Sequence, residues 1–157
     1  MAKTTRATQA LARFGIAFTV HEYDYHADAH SIGLQAAEGL GEDPARVLKT
    51  LMAELDGKPV CAVLPSDREV SMKRLAAALG GKSAAMMKPA DAERLTGYHV
   101  GGISPFGQKK QVPTVIEAAA LDQPYVFINA GQRGLQLRLD PKDAQAALQA
   151  VAAAIVA

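Results

Sequence analysis

The clearest fold signal is residues 47–65, VLKTLMAELDGKPVCAVLP. Two runs rich in valine and leucine flank the dipeptide Asp56-Gly57. Asp-Gly tolerates the positive φ angles that a two-residue hairpin turn requires. The stretch therefore predicts two antiparallel strands joined at this turn.

Further helix and strand signals lie on both sides of the hairpin. Helices are predicted where a capping residue or a helix-starting proline precedes helical periodicity, and strands where β-branched and aromatic residues cluster. Helices are predicted after Thr4 or Thr5, after Ser31, at Pro44, after Ser71, in PADAERL and at Pro141, and further strands at AFTVHEY, PTVIEA, YVFINA and LQLRL. This pattern predicts an α+β fold with a mixed sheet rather than a doubly wound parallel one.

The alanine-rich end of the chain, AQAALQAVAAAIVA, is expected to be helical. Leu148, Val151 and Ile155 recur there at helical spacing, so we expect one packed helix to run through all three.

Composition narrows the class of protein. A chain of 157 residues with 49% hydrophobic residues is long enough to bury one core, and we expect a single domain over residues 1–157. The net charge of +1 does not indicate a strongly basic surface that binds DNA or other nucleic acid, or a polybasic membrane anchor. The first residues lack a continuous apolar segment, and later apolar runs are interrupted by charges and glycines. We therefore expect a soluble, cytoplasmic protein.

Common ligand motifs are missing from the chain. Gly102 and Gly107 begin like a phosphate-binding loop, but Gln108 stands where that loop needs lysine. His26 and His30 are four residues apart, yet HADAHS is typical of a loop that leads into a helix cap. We expect no metal and no cofactor.

Cys61 and Lys49 are the two reactive side chains that lie within the predicted hairpin. The apolar surroundings of Cys61, the only cysteine, predict a buried thiol with a raised pKa, and the alternative is a nucleophile. Lys49 lies among apolar residues. It is either an edge-strand or solvent-facing lysine or a functional group.

The stretch GGISPFGQKK, residues 101–110, is the second candidate for chemistry. Its glycines allow a close approach of the backbone, Pro105 stiffens the turn, and two lysines supply positive charge. Such a loop suits a ligand with carbonyl or anionic groups, and the alternative is only a tight turn.

Four motifs, in order, resemble a known family. They are VLKTL at 47–51, ALGGK at 78–82, TGYHVGGISPFGQKK at 96–110 and INAGQRGLQL at 128–137. Together they resemble the YbaK/EbsC family of Cys-tRNA(Pro) deacylases, relatives of the editing domain of bacterial prolyl-tRNA synthetases. The resemblance implies a barrel-like, mostly antiparallel sheet flanked by helices.

The resemblance also implies an activity. The expected reaction removes cysteine from mischarged Cys-tRNA(Pro), and possibly from Cys-tRNA(Cys), with the substrate's own thiol attacking its ester. Partners would be the misacylated tRNA and prolyl-tRNA synthetase in a ternary complex. The alternatives are a deacylase for another misacylated tRNA, such as Ala-tRNA(Pro), and a non-catalytic aminoacyl- or nucleotide-binding module of the same fold.

Site residues follow from the same resemblance. Lys49 matches the lysine on which the family's activity depends, and the main-chain N–H groups of Gly101 and Gly102 are expected to face the ester carbonyl. The expected substrate-binding residues are Tyr23, Ile32, Thr50, Ser104, Pro105, Asn129 and Arg133.

Three positions depart from the family pattern. Asn129 stands where relatives commonly have serine, Gln136 where they have aspartate, and Ile32 where an aromatic residue is usual. These changes leave the amino-acid selectivity open.

Overall fold

The computed structural model describes residues 4–26 and 32–157, with the side chains of residues 32 and 33 outside the description. His30 and Ser31, named above as loop and cap residues, lie outside the described residues. The α-helices are α1 (Arg6–Arg13), α2 (Ile32–Leu40), α3 (Met72–Ala78), α4 (Pro89–Thr96) and α5 (Pro141–Leu148). The strands are β1 (Thr19–Glu22), β2 (Leu48–Leu55), β3 (Lys58–Pro65), β4 (Ala84–Met86), β5 (Thr114–Glu117), β6 (Val126–Asn129), β7 (Leu135–Leu139) and β8 (Val151–Ala153).

The predicted hairpin is confirmed. Strands β2 and β3 pair antiparallel over their whole length, with Met52 opposite Cys61. Asp56 and Gly57 have φ angles of 51° and 84°, which are the left-handed values that a type I′ turn needs.

Local capping explains where several helices begin. The Thr5 side chain accepts a hydrogen bond from the Thr8 N–H, and Ser71 caps α3 in the same way. Pro44 opens only a short 3₁₀ turn, Pro44–Arg46, rather than an α-helix. Such caps satisfy main-chain N–H groups that have no partner within the helix.

The strands form two sheets. One has the order β1-β7-β6 and is antiparallel throughout. The other has the order β4-β2-β3-β5-β8, in which β5 pairs parallel with both β3 and β8. The α+β, mostly antiparallel prediction is confirmed. The expected barrel-like closure is corrected, because among the described residues the only strand pairing between the two sheets is the isolated bridge between Val47 and Phe127.

Three clusters of apolar side chains hold the layers together. The largest lies between the sheets and includes Leu48, Met52 and Ile128. A second cluster packs Leu75 of α3 against the other face of the five-stranded sheet. A third packs α2 against Phe127 of the three-stranded sheet. Each sheet therefore has one face in the shared core and its other face at least partly covered by a helix.

The prediction of one continuous terminal helix is wrong. Helix α5 ends at Leu148, Gln149 takes a left-handed φ of 51°, and Val151 lies in β8 rather than on a helix. Beyond β8, the carboxylate of the buried Glu117 accepts hydrogen bonds from the main-chain N–H groups of Ile155 and Val156. The pairing of β8 with β5 and the hydrogen bonds to the Glu117 carboxylate stabilise this extended conformation, although the spacing of apolar residues favours a helix.

No helix in the described part of the chain has the length and apolarity required to cross a membrane.

Candidate active site

A cavity of about 320 Å³ opens beside the first half of β2. We call it the β2 cavity. Its described lining residues come from β2, from β4 and α4, from the loop that follows α4, and from the neighbouring strands β6 and β7: Leu48, Lys49, Thr50, Leu51, Met52, Met86, Met87, Pro89, Ala92, Val100, Gly101, Ile103, Asn129 and Gln136.

The cavity exists because β2 lacks a strand partner along part of one edge. Strand β6 reaches this edge only at Val47, and β4 pairs only with residues 53–55. Between these contacts the edge of residues 48–51 pairs with no strand in the described part of the chain. Main-chain groups along this edge therefore face a gap rather than a neighbouring strand.

Lys49 lines the β2 cavity from this open edge. Its side chain is 20% exposed, and its ammonium nitrogen lies 3.9 Å from a carboxylate oxygen of Glu69, which is 89% exposed. An ion pair with so exposed a partner is weak. The ammonium is therefore available to an anionic ligand.

Gly101 lines the same cavity from the opposite side. The Asn129 amide donates to the Gly101 carbonyl at 3.2 Å, and its oxygen accepts hydrogen bonds from the N–H groups of Gly131 and Gln132. Asn129 therefore ties the loop that carries Gly101 to the turn after β6. The structure brings together Lys49, Thr50, Gly101 and Asn129 of the predicted site residues.

Three of the predicted loop residues have a different role. The N–H of Gly102 donates to the His99 carbonyl at 2.8 Å, so the expectation that this N–H faces a substrate is corrected. Ser104 is fully buried, and its hydroxyl accepts a hydrogen bond from the Phe106 N–H. Pro105 is buried as well. The turn uses the Gly102 N–H and the Ser104 hydroxyl, and none of these three residues is among the lining residues of the β2 cavity.

Two buried side chains hold the loop in place. Tyr98 donates its hydroxyl to the Phe106 carbonyl at 2.6 Å, and the Gln108 amide donates to the Ser104 carbonyl at 3.0 Å. Burial raises the pKa of Tyr98 to about 12, while the charge of Arg6 lowers it slightly. Tyr98 is therefore a structural hydrogen-bond donor at neutral pH.

Polar atoms at the β2 cavity lack hydrogen-bond partners. Thr50 Oγ1 and Gln136 Oε1 are buried and have no partner among the described residues, and both residues line the cavity. Buried polar atoms are nearly always paired in native proteins. The wall of the β2 cavity therefore carries unused hydrogen-bonding capacity.

Tyr23 and Arg133 of the predicted site residues lie at a second cavity of about 350 Å³, which we call the Tyr25 cavity. Its described lining residues are Glu22, Tyr23, Asp24, Tyr25, Arg133 and Gly134. Burial raises the pKa of the Tyr23 hydroxyl. This hydroxyl makes no hydrogen bond of ordinary geometry with the described residues. Ile32 begins α2, and its side chain lies outside the described residues.

Cys61 is buried in β3 at 1% exposure. Burial raises the pKa of its thiol to about 12, against smaller opposing effects of Thr114 and Gln108. Since the thiolate is the nucleophilic form, this thiol is inert at neutral pH. Among the described residues, no group of three or more His, Cys, Asp or Glu side chains is arranged to hold a metal ion.

The sequence prediction did not include several cavity residues. Gln136 is directly opposite Asn129 in the β6–β7 pair. Because directly opposite residues project from the same face of a sheet, the prediction of Asn129 as a site residue could also have indicated Gln136. Met52, Met86 and Met87 form an apolar wall. Met86 and Met87 lie at and just after β4, a strand that no sequence pattern predicted.

Comparison with known proteins identifies the family. The sequence model that represents the family "Aminoacyl-tRNA editing domain" matches residues 26–147 of this chain. The chain belongs to this family.

Individual relatives agree with this assignment. The chain is 35% identical over 139 residues to EbsC of Enterococcus faecalis, named as a candidate Cys-tRNA(Pro)/Cys-tRNA(Cys) deacylase, with 88% of this chain and 84% of that protein covered. It is 30% identical over 117 residues to a proline–tRNA ligase of Limosilactobacillus fermentum, which covers 65% of this chain and 20% of the ligase. The fold matches a crystal structure described as a candidate trans-editing enzyme for prolyl-tRNA synthetase, with a TM-score of 0.85, 21% identity and 99% of both chains covered.

The close packing of Gly102 predicts a large loss of stability in Gly102→Ala. A Cβ atom there meets the main-chain nitrogen of Arg133 at 2.8 Å, and a main-chain contact relaxes poorly. We expect a loss of about 3 kcal/mol in the free energy of unfolding, measured by urea denaturation. In the control Gly80→Ala, φ is +73° but no atom lies within 4 Å of the new Cβ, so we expect about 1 kcal/mol. Equal losses in the two variants would contradict the packing described here.

The buried thiol predicts a difference between wild type and Cys61→Ala at high pH. The unfolded thiol releases its proton near 9.0, whereas the folded thiol holds it to about 12. The thiol's contribution to stability is therefore complete below pH 9.0 and is lost as the pH rises toward 12. Thermal unfolding should show the wild type losing stability more steeply than Cys61→Ala in this window. Parallel pH profiles would argue against the buried thiol.

Proposed function

We propose that the protein is a trans-acting deacylase that removes cysteine from mischarged Cys-tRNA(Pro). The observation that carries the proposal is the composition of the β2 cavity. Among its described lining residues, Lys49 is the single charged side chain and Thr50 the single hydroxyl, with no His, Cys, Asp or Glu. Such a site provides orientation and positive charge but no strong nucleophile. This composition fits a substrate whose own side chain is the nucleophile.

Membership in the editing-domain family and the likeness to EbsC support the substrate class. A synthetase pocket shaped for proline discriminates against a side chain of similar size by only about 10- to 200-fold. A second site is needed to remove the misplaced cysteine. We propose that this protein provides that second site and acts in the cytoplasm, where translation takes place.

The reaction needs no cofactor. The cysteine sulfur attacks the carbonyl carbon of its own ester, the bond from that carbon to the ribose oxygen breaks, and the thiol proton passes to the ribose oxygen. The products are a cyclic thiolactone and deacylated tRNA. Well-oriented intramolecular attack reaches effective molarities of about 10⁵ M or more, so holding the attacking geometry is the main task of the protein.

Lys49 provides the charge for this step. Its ammonium, on leaving the exposed Glu69 carboxylate, stabilises the substrate thiolate and lowers a thiol pKa that is ordinarily about 8.5. The low polarity of the surrounding methionine wall strengthens this attraction.

Gly101 provides the hydrogen bond to the ester. Its N–H has no hydrogen-bond partner in the described part of the chain, whereas the Gly102 N–H is occupied. The Gly101 N–H therefore acts as the donor to the carbonyl oxygen on which charge develops. One donor of this kind is typically worth about 3 kcal/mol to an acyl-transfer transition state.

Recognition of the whole tRNA is shared with a partner. A net charge of +1 on 157 residues provides little sequence-independent attraction to a polyanion. We propose that prolyl-tRNA synthetase presents the misacylated tRNA in a ternary complex.

A water-dependent deacylase for Ala-tRNA(Pro) is the second candidate. The apolar wall of Met52, Met86 and Met87 favours it, since this wall accepts a methyl side chain as readily as a thiol. A non-catalytic binding module would instead protect the ester from spontaneous hydrolysis.

Substrate choice is the first test of the proposal. Equal concentrations of Cys-tRNA(Pro), Ser-tRNA(Pro) and Ala-tRNA(Pro) are incubated with the protein, and the remaining aminoacyl ester is counted over time. We expect rapid loss of the cysteine ester only, because serine and alanine carry no thiol. Comparable loss of the serine or alanine ester would refute attack by the substrate's thiol. Protection of all three esters would favour the binding module.

Replacement of Lys49 tests the site. We expect Lys49→Ala to lower kcat for Cys-tRNA(Pro) by at least about 100-fold, the scale of losing one preorganised charge. Its melting temperature should change little, because the ion pair with Glu69 is weak. The control is Lys58→Ala, which removes an exposed lysine from the same hairpin and should leave kcat intact. Full activity in Lys49→Ala would remove this lysine from the mechanism.

A further inference from the structure

We infer that an open groove beside α4 binds the phosphodiester backbone of the RNA whose ester occupies the β2 cavity. The groove has a volume of about 510 Å³, and we call it the α4 groove. This inference rests on the proposed function, since it gives the same tRNA a second contact. The described residues that line the groove are Glu54, Gly57, Pro59, Met87, Asp91, Arg94, Leu95, Lys109 and Lys110.

The α4 groove and the β2 cavity are neighbours. Met87 lines both of them. Helix α4 presents a different face to each, because Pro89 and Ala92 line only the cavity. Arg94 and Leu95 line only the groove. The two spaces are therefore separated by no more than the width of one helix, about 10–12 Å with its side chains. An RNA strand whose 3′ ester lies in the cavity has the groove within reach of its last few nucleotides.

Exposed cations dominate the charge of the groove. Lys109 and Lys110 are exposed, and neither forms an ion pair within the described part of the chain. Arg94 pairs with Asp91 at 2.9 Å, but the arginine side chain is 76% exposed, so this pair is weak and leaves the guanidinium accessible. Glu54 is the one other carboxylate among the described lining residues.

Arg6 adds a further cation beside Lys109. A Cβ atom placed on Gly97 would contact the Arg6 Nη1, and the Lys109 Cε lies 3.1 Å from the same point. The two cationic side chains therefore converge at this glycine, where α4 ends. Arg6 is exposed and forms no ion pair with the described residues. Two neighbouring like charges repel each other, so this pair favours an anionic ligand.

The groove concentrates positive charge that the rest of the chain lacks. Together with Arg6, its described lining residues carry four cations and two carboxylates, a net charge of +2, whereas the whole chain carries +1. The remainder of the chain therefore has a net charge of −1. This surface can attract a polyanion locally, although the chain as a whole provides little attraction.

The groove suits phosphates rather than bases. Its described lining residues include no aromatic side chain and no histidine, so they offer no ring on which a base stacks. A lysine ammonium binds phosphate oxygens as a point charge, and contacts to phosphates carry no direct sequence information. The α4 groove therefore contributes affinity and position to RNA binding but no selectivity for sequence.

The first experiment measures RNA binding without catalysis. The fluorescence anisotropy of labelled, deacylated tRNA(Pro) is followed for wild type and Lys109→Ala/Lys110→Ala between about 50 and 200 mM salt. We expect the variant to bind at least about 10-fold more weakly at the lowest salt, with a salt slope shallower by about 1.5, the value for two lost phosphate contacts. An unrelated tRNA should give the same result, because the groove reads no bases.

Three results of this experiment would overturn the inference. They are no measurable binding by the wild type at the lowest salt, an unchanged affinity and slope in the variant, and binding that is selective for one tRNA sequence. Because the readout needs no deacylation, failure of the groove is distinguishable from failure of the proposed function.

The second experiment uses steady-state kinetics with Cys-tRNA(Pro). Backbone contacts bind the substrate and the transition state equally, so we expect Lys109→Ala/Lys110→Ala to raise KM by about the factor seen in tRNA binding, with kcat unchanged. A lower kcat at unchanged KM would overturn the inference, because it would indicate an effect on the reacting groups.

A matched control keeps the charge change but moves it elsewhere. Lys109→Glu/Lys110→Glu reverses two charges in the groove. Lys73→Glu/Lys142→Glu reverses two exposed lysines that do not line it. We expect only the first pair to abolish RNA binding. Equal losses would attribute the effect to net charge. A lower melting temperature without weaker binding would assign the groove lysines to the dipole at the end of α4. Either result would overturn the inference.

Discussion

The site depends on the divergence of β2 from β6. After the single bridge between Val47 and Phe127, the two strands separate, and the edge of residues 48–51 is left without a strand partner in the described part of the chain. A paired edge would fill this space with a ladder of main-chain hydrogen bonds. The gap instead forms a cavity between the two sheets, with Lys49 on one wall and Gly101 on the other. The open edge is thus enclosed within a cavity rather than exposed to pairing with another chain.

The opposite wall is held in place by side chains that donate hydrogen bonds to the carbonyl groups of its loop. Asn129 connects the Gly101 carbonyl to the turn after β6, and Tyr98 and Gln108 hold the loop carbonyls behind it. Rigid placement of a few donors is what an acyl-transfer site requires, since preorganised groups need not reorient during the reaction. Asn129 therefore helps to set the position of the loop that carries Gly101.

Local features of the fold were predictable from sequence, and long-range ones were not. The Asp56-Gly57 turn and the Thr5 and Ser71 caps depend on neighbouring residues, so the sequence pattern predicted them correctly. Whether the sheets close into a barrel depends on how far β2 and β6 pair, and the structure of the chain after Leu148 depends on pairing with β5 across the molecule. Neither feature leaves a local signal, so the expectations of barrel-like closure and of one continuous terminal helix were both wrong.

The same distinction applies to the site. The resemblance to the editing family singled out Lys49 and Gly101, which share a cavity. It also assigned Gly102 and Ser104 to the substrate, although the turn itself consumes the Gly102 N–H and the Ser104 hydroxyl. A hydrogen bond within a tight loop depends on its exact dihedral angles, which composition does not specify. The Tyr25 cavity was not predicted as a cavity because it combines residues more than 100 positions apart in the chain.

A bound structure tests the central claim most directly. The ligand is cysteinyl-adenosine with an amide in place of the ester, which resists cleavage. The account predicts that the carbonyl oxygen lies within hydrogen-bonding distance of the Gly101 N–H, with the Lys49 ammonium beside the ligand's sulfur. A ligand bound away from the gap along β2, or with its sulfur directed away from Lys49, would contradict it.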